Sequence, residues 1–443
     1  MYQIESAKTL LKGRGILRLR TGVNRTVIFL GLTSLFTDLS SEMVATILPV
    51  YLVFTLGFSP AQFGVFDGLY QGAAALVRVA SGIVGDRWRR HKEVAVLGYG
   101  LSAITRIGFL FAGKAAPVIG ALIVADRTGK GIRTAPRDAL ISLSTPPERL
   151  GTAFGVHRAL DTMGAMLGPL AAFGLLYLAP GGYDAVFVVS FLFALVGLSI
   201  LLLFVENQRP ETAPGTEPDE PEVSLRAVAS LLNVPRFRIL VIVGAALSLA
   251  TMSEAFVYLG IQRRVEFDPE FFPLLYVGTA LVFMILAVPM GQLADRIGRA
   301  PVFVAGYGLL LLLYLLLILP SAGSFEVIPY LLLFGAYYAA TDGVLMAAAS
   351  AVLPASLRGS GLALLVTATS LGRLFASLVF GAVWSWYGLE TAVVTFAAAL
   401  AVAVGVAAVA LPRPRQFFVV IARAVSVLTR KSRSFPSTRE PMK

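Results

Sequence analysis

Cysteine is absent from this chain, histidine occurs twice, and only 14% of the 443 residues are Asp, Glu, Lys or Arg. Soluble globular chains have roughly a quarter of their residues charged, so a water-soluble domain is excluded. Without cysteine there are no disulfides and no thiolate metal sites. His91 and His157 stand in no metal-ligand cluster, so neither metal nor cofactor is expected. The chain also lacks a G-x-S-x-G elbow, an H-E-x-x-H pair and a phosphate-binding glycine loop. It therefore reads as no enzyme and as no ATP-driven machine. What it has in excess is apolar surface: 57% of residues are hydrophobic and the mean hydropathy is +0.78.

A helix needs about 20 largely apolar residues to cross the hydrocarbon of a bilayer. Twelve such spans are read at 26–55, 60–84, 93–112, 116–140, 151–179, 184–205, 237–262, 271–293, 301–320, 327–351, 360–386 and 390–411. The net charge of +11 invites a nucleic-acid reading, but its placement argues for a bilayer instead. Basic residues gather in the N-terminal segment (Lys8, Lys12, Arg14, Arg18, Arg20, Arg25), in two short loops and after Arg413. The expected outer loops carry few cations, mainly Lys114, Arg263 and Arg264. This is the positive-inside bias. It predicts a multi-pass protein of the inner (cytoplasmic) membrane with both termini cytoplasmic. The basic start precedes a span too long and too polar for a signal-peptide core, so no cleavable signal peptide is expected.

One long polar connection, rich in Pro, Glu and Asp, follows Glu206 and reads as a flexible linker. Residues on either side echo each other. Gly82-x-x-x-Asp86-Arg87 ends the second span and Gly291-x-x-x-Asp295-Arg296 ends the eighth; Arg149 and Arg358 repeat at the same offset. Landmarks at one common offset mark a duplicated six-helix unit. The expected organisation is a basic N-terminus (1–25), a six-helix bundle (26–205), a linker (206–236), a second bundle (237–411) and a basic tail (412–443). Within that tail, apolar residues from Phe417 to Leu428 interleaved with Arg423, Arg430 and Lys431 read either as an interfacial helix or as a solvated basic segment.

These features resemble the major facilitator superfamily of secondary transporters. Its loop signature G-x-x-x-D-R-x-G-x-R/K is matched by Gly291, Asp295, Arg296, Gly298 and Arg299; the first copy keeps Gly82, Asp86 and Arg87 but has Arg89 in place of the second glycine. In the fourth span, Arg127-Thr-Gly-Lys130-Gly131 resembles an element tied in that family to proton coupling. The longer string from Asp126 through Arg133 and Pro136 to Asp138 resembles a prokaryotic branch of it. In the fifth span, Gly155 and Gly164-x-x-x-Gly168-Pro169 resemble a motif of exporters that work as antiporters, with Ala172-Phe173 replacing its final glycines. The resemblance implies an all-α membrane fold of 12 transmembrane helices in two pseudo-symmetric six-helix bundles, normally working as a monomer. It implies a small-molecule substrate, protons as the coupling ion, and helices 1, 4, 7 and 10 around a central cavity. Asp86/Arg87 and Asp295/Arg296 become conformational latches. Gly164, Gly168 and Pro169 either serve a gate or simply let helices pack closely.

Charges inside a membrane span are costly and mark pathways or partners. With 100° per residue, Asp126, Arg127, Lys130, Arg133 and Arg137 fall within roughly a third of one helix face. Arg127 lies about 16 Å from the outer end, near the bilayer midplane. Asp126 and Lys130 have i, i+4 spacing and are expected to pair. In the first span, Ser34, Asp38, Ser41 and Glu42 share a face, and the resemblance sets Asp38 and Glu42 opposite the cationic stripe. Glu254 and Asp342 add acids on the seventh and tenth spans. Each acid either carries protons or contacts substrate, or permanently neutralises a cation. Arg106 in the third span is a partner for an acid or a substrate ligand. His157, Arg158 and Asp161 read as an inner-side network, and Asp67 shares a face with Gln71 and Arg78. The expected function is proton-coupled efflux of a small, possibly anionic, organic molecule. Uptake of an organic anion is the alternative, and a non-transporting receptor a remote one.

Overall fold

The computed structural model describes residues 24–73, 90–206, 230–319, 327–354 and 357–411. Asp86 and Arg87, Arg78, most of the linker and the C-terminal tail lie outside the described residues. The described chain is all-α. Twelve helices run α1 (Arg25–Val50, continued by a π-helical turn Tyr51–Thr55), α2 (described over 60–73), α3 (His91–Ala112), α4 (Ala116–Leu143), α5 (Leu150–Leu178) and α6 (Tyr183–Phe204). There follow α7a (Pro235–Leu249) and α7b (Glu254–Val265), α8 (Phe272–Ile297), α9 (Arg299–Ile318), α10 (Val327–Val352), α11 (Arg358–Tyr387) and α12 (Leu389–Ala410). Ten of the described helical spans are long and apolar enough to cross a membrane. Helix α4 has the length, at 28 residues, but too many charges; it is stable there only because the protein, and not lipid, surrounds them.

Local chemistry sets the breaks. Asn24 caps α1 by accepting a hydrogen bond from the Thr26 amide (3.0 Å) and donates its own amide to the Ser144 carbonyl at the end of α4 (2.9 Å). Gly298 (φ +102°) separates α8 from α9 and Gly388 (φ +88°) separates α11 from α12, backbone conformations that favour glycine. The seventh span, read over 237–262, is present as one membrane-crossing stretch over Pro235–Val265. It is interrupted after Leu249, and Ser253 starts a new helix by accepting from the Phe256 amide (3.3 Å). A serine N-cap inside an apolar run overrides the hydropathy pattern.

Helix pairing repeats with a shift of six. In the first half α1 packs on α5 and α6, and α3 packs on α4 and α6; in the second, α7a packs on α11 and α12, and α9 packs on α10 and α12. Two related bundles result. The halves meet through α5 against α8 and α1 against α8 and α7b, and through α2 against α11. Many of these contacts gather at the end carrying the loops after odd-numbered helices, here the odd-loop end. There the Ala61 amide donates to Ser385 Oγ (2.7 Å), and Phe63 meets Phe256 (5.0 Å between centroids) and Phe173 meets Phe271 (5.7 Å). A Cβ on Gly64 would strike the Ser377 carbonyl, and one on Gly381 would reach Gly64 Cα at 3.0 Å. Only glycine lets α2 and α11 come this close. The bundles are closed together at this end.

Candidate functional site

Helix α4 delivers its charges to three different settings. Deepest in the protein, Asp126 accepts from Arg106 Nη2 of α3 (2.7 Å) and from the Arg127 guanidinium beside it. Arg106 also donates to Ser41 Oγ of α1 (2.9 Å), and the Arg127 guanidinium lies 4.0 Å over the Tyr70 ring of α2, a cation–π contact. All three charged residues are 5% exposed or less. This triad ties α1, α2, α3 and α4 together. The expected Asp126–Lys130 pair does not form: the two arginines occupy both carboxylate oxygens of Asp126, so Lys130 is turned elsewhere. A void of about 10 Å³ beside Ser41, Tyr70 and Arg127 is about the space one water needs.

About two and three turns further along, α4 meets α1 and α5. Arg133 Nη2 donates to Asp38 Oδ1 (3.2 Å), and its guanidinium stands 4.7 Å over the Tyr99 ring. Arg137 reaches Asp138 (3.0 Å) and Asp161 (3.8 Å), and Arg158 donates to Asp161 Oδ2 (3.1 Å). His157 Nε2 lies 2.9 Å from Ser34 Oγ. The helix 1 acids therefore do face the cationic helix 4, and the inner-side network of His157, Arg158 and Asp161 extends through Arg137 and Ser34.

Lys130, like Arg137, is partly exposed, but among the described residues it is the α4 cation that no ion pair holds. It lies within electrostatic range of Asp38 and Glu42. Glu42, also partly exposed, is flanked by α5: a Cβ on Gly168 would approach Glu42 Cβ at 2.7 Å and the Leu39 carbonyl at 2.8 Å. Gly164 stands as tightly against the backbone at Leu35, so this glycine pair sets the α1–α5 spacing. Pro169, buried, lies inside α5 next to it. Gly155 has open space around it and takes no part in that contact.

The second half contributes differently. Glu254, at the first turn of α7b, accepts from Tyr258 Oη (2.8 Å), which also lies 2.7 Å from Thr279 Oγ1. Asp342 on α10 is exposed. Sequence reading passed over Arg373 in the middle of α11. This exposed guanidinium acts on Glu254, Asp342, Tyr337 and Tyr338, and among the described residues no ion pair engages it. The rule used elsewhere, that a charge in mid-span marks a pathway or a partner, would have found it. Asp295 and Arg296, the expected latch, are both exposed, while Arg299 Nη1 caps the Ala347 carbonyl of α10 (2.7 Å). A larger cavity, about 360 Å³, lies within the second half beside Arg236, Arg299 and Phe303, away from this charged centre.

The family model described as Major Facilitator Superfamily matches residues 30–278 and 255–417. An uncharacterized MFS-type transporter of Methanocaldococcus jannaschii is 31% identical over 375 residues, covering 82% of this chain and 89% of its own. An uncharacterized protein of Mycobacterium tuberculosis is 33% identical over 199 residues, 45% of this chain and 47% of its own. Among solved structures, the nucleoside transporter NupG superposes with a TM-score of 0.72 at 16% identity, covering 87% of this chain and 100% of that one. A bacterial homologue of the human lysosomal transporter Spinster, in its inward-facing form, gives 0.67 at 15%, covering 87% and 96%. At these identities the structural likeness shows the fold.

Proposed function

The chain belongs to the Major Facilitator Superfamily of secondary transporters, and from that premise we propose that it exports a small organic anion in exchange for protons. It is a multi-pass membrane protein; we place it in the inner membrane with both termini in the cytoplasm, so that the odd-loop end faces outward. One observation carries the substrate class. Two cations from opposite halves, Lys130 on α4 and Arg373 on α11, stay partly or fully exposed without an ion pair among the described residues, whereas Arg106, Arg127, Arg133 and Arg137 are all engaged by acids. An anion bound between the halves would satisfy both, near the bilayer centre, where such transporters bind their substrates.

Within this reading Arg106, Asp126 and Arg127 are positioning residues that hold α4 in place. Asp38 and Arg133 steady the helix 1 face, leaving Glu42 and Glu254 as the carboxylates near the two free cations. Glu42 is a strong candidate to couple proton and substrate, because its neighbour Lys130 can pair with it or with the bound anion, but not fully with both. The contact between Gly168 and Glu42 supports coupling at this carboxylate, since any movement of α5 on α1 is felt there. Asp295 and Arg296 serve as the latch of the inner side, disengaged while the odd-loop end is closed.

The test is flux in proteoliposomes under an imposed pH gradient, using radiolabelled organic anions. Wild-type protein should move an anion against its gradient, outward when the outside is acidic. Lys130→Ala and Glu42→Gln should each reduce flux at least about tenfold, the effect of losing one charge-assisted contact. Full flux in both variants would remove the assignment. Flux coupled in the inward direction would replace export with uptake.

A further inference from the structure

The odd-loop seam contains a carboxylate that the transport reading leaves unused. Asp67, on α2, is 6% exposed and lies in the contact between the halves. Its Oδ2 accepts from Ser377 Oγ of α11 at 2.5 Å; Ser253, at the α7 break, and Gln71 also lie close to it. All three partners are neutral. Among the described residues, the titratable groups that feel it are Glu254 from α7b and Tyr276 from α8. Arg373, one turn along α11 from Ser377, acts on Glu254. Among the described residues no ion pair engages Asp67, and the charged group that feels it is a second acid, Glu254.

An ionised carboxylate withdrawn from water without a counter-charge is so costly that the group neutralises instead. Here the cost exists only while α2 and α11 are together. Gly64 and Gly381 bring their backbones into contact, the Gly68 side of α2 rests against the Leu374 carbonyl, and Phe63, Phe256 and Phe380 close over the region. Separating the helices admits water to Asp67 and removes the penalty on its charge. Proton occupancy and seam closure are therefore linked, and each shifts the other by the same factor.

We propose that Asp67 is the proton-binding residue of the outer gate: with its proton bound the α2–α11 seam is closed, and releasing that proton to water opens it. The proposal rests on the rocking of two halves in the transport reading but on no substrate. The chain has no cysteine, so a labelled pair introduces no background. Full-length protein carrying spin labels at Val65→Cys on α2 and Tyr387→Cys at the end of α11, both exposed, would be reconstituted in nanodiscs without substrate. Distance distributions would be recorded from about pH 5 to about pH 9, the range over which buried carboxylates titrate.

In the wild-type background the short distance should dominate at the acid end, and a longer one should grow at least about tenfold relative to it as pH rises, the change expected for one linked proton over more than one pH unit. Asp67→Asn should hold the short distance at every pH, and Asp67→Glu should restore the dependence. Ser377→Ala should keep the dependence while shifting the whole curve toward opening. A wild-type distance that ignores pH, or an Asp67→Asn variant that titrates like wild type, would overturn the proposal. Because the readout needs neither ligand nor gradient, failure of the anion-transport reading leaves this result standing, and the converse also holds.

Discussion

The two halves share one helix-pairing scheme and fill it with opposite chemistry. In the first, the interior is stitched by charge: Arg106 and Arg127 on Asp126, Arg133 on Asp38, and Arg137 and Arg158 on Asp161. In the second it is stitched by rings. Tyr258 meets Tyr276 at 4.5 Å, Phe334 meets Tyr338 at 4.8 Å, and Tyr307 meets Tyr337 at 5.2 Å. Tyr314 Oη accepts from the Met252 amide (2.7 Å) at the α7 break. A duplicated unit can therefore keep its fold while its interior diverges. A charged interior costs more to assemble and is less forgiving, since removing one partner strands the others. An aromatic one relies on area and edge-to-face geometry, which survive loss of a hydroxyl.

The largest expected effect follows from that difference. Asp126→Ala leaves two guanidinium groups buried without a counter-charge, and should cost about 3–5 kcal/mol, seen as a collapse of thermal stability in detergent. A stability within error of wild type would show that the first half is not held by its charges. Next, Gly168→Leu drives a side chain into α1 at Glu42 and Leu39, costing about 1–3 kcal/mol by overpacking and abolishing flux along with it. The matched change in the ring-built half is Tyr314→Phe, which keeps the ring and strands one amide donor, for about 1–3 kcal/mol. If it equalled Asp126→Ala in chemical-denaturant titration, the contrast between halves would be lost. Smallest in stability is Arg373→Gln, an exposed position expected to stay within about 0.5 kcal/mol of wild type while anion flux falls; a large fall in melting temperature would reassign Arg373 to structure.

Much of the fold was readable because hydropathy and repetition are local or periodic. Runs of apolar residues gave ten spans nearly as they stand, the second being described only over 60–73, and the loop signatures at one offset gave the duplication. The seventh span stands where it was read, but its internal break was not legible, because a single capping serine, Ser253, is a weak signal inside an apolar run. The charged stripe of α4 was legible from spacing alone, but its partners were not. Asp126 chose Arg106, twenty residues away on another helix, over the i, i+4 lysine, since a planar guanidinium engages a carboxylate in better geometry than a flexible ammonium. Tyr70 and Tyr99 carried no sequence sign that they would lie under arginines. The Asp67–Ser377 contact joins residues on different halves, and nothing along the chain announces it. Arg373 was visible and overlooked.

In the proposed transport cycle an anion sits between Lys130 and Arg373. A thermal-stabilisation screen tests it most directly, comparing small organic anions with neutral analogues of matched size on wild-type, Lys130→Gln and Arg373→Gln proteins. Particular anions should raise the wild-type melting temperature, their neutral analogues should not, and either substitution should remove the gain. Equal stabilisation by neutral analogues, or full stabilisation of both variants, would contradict it.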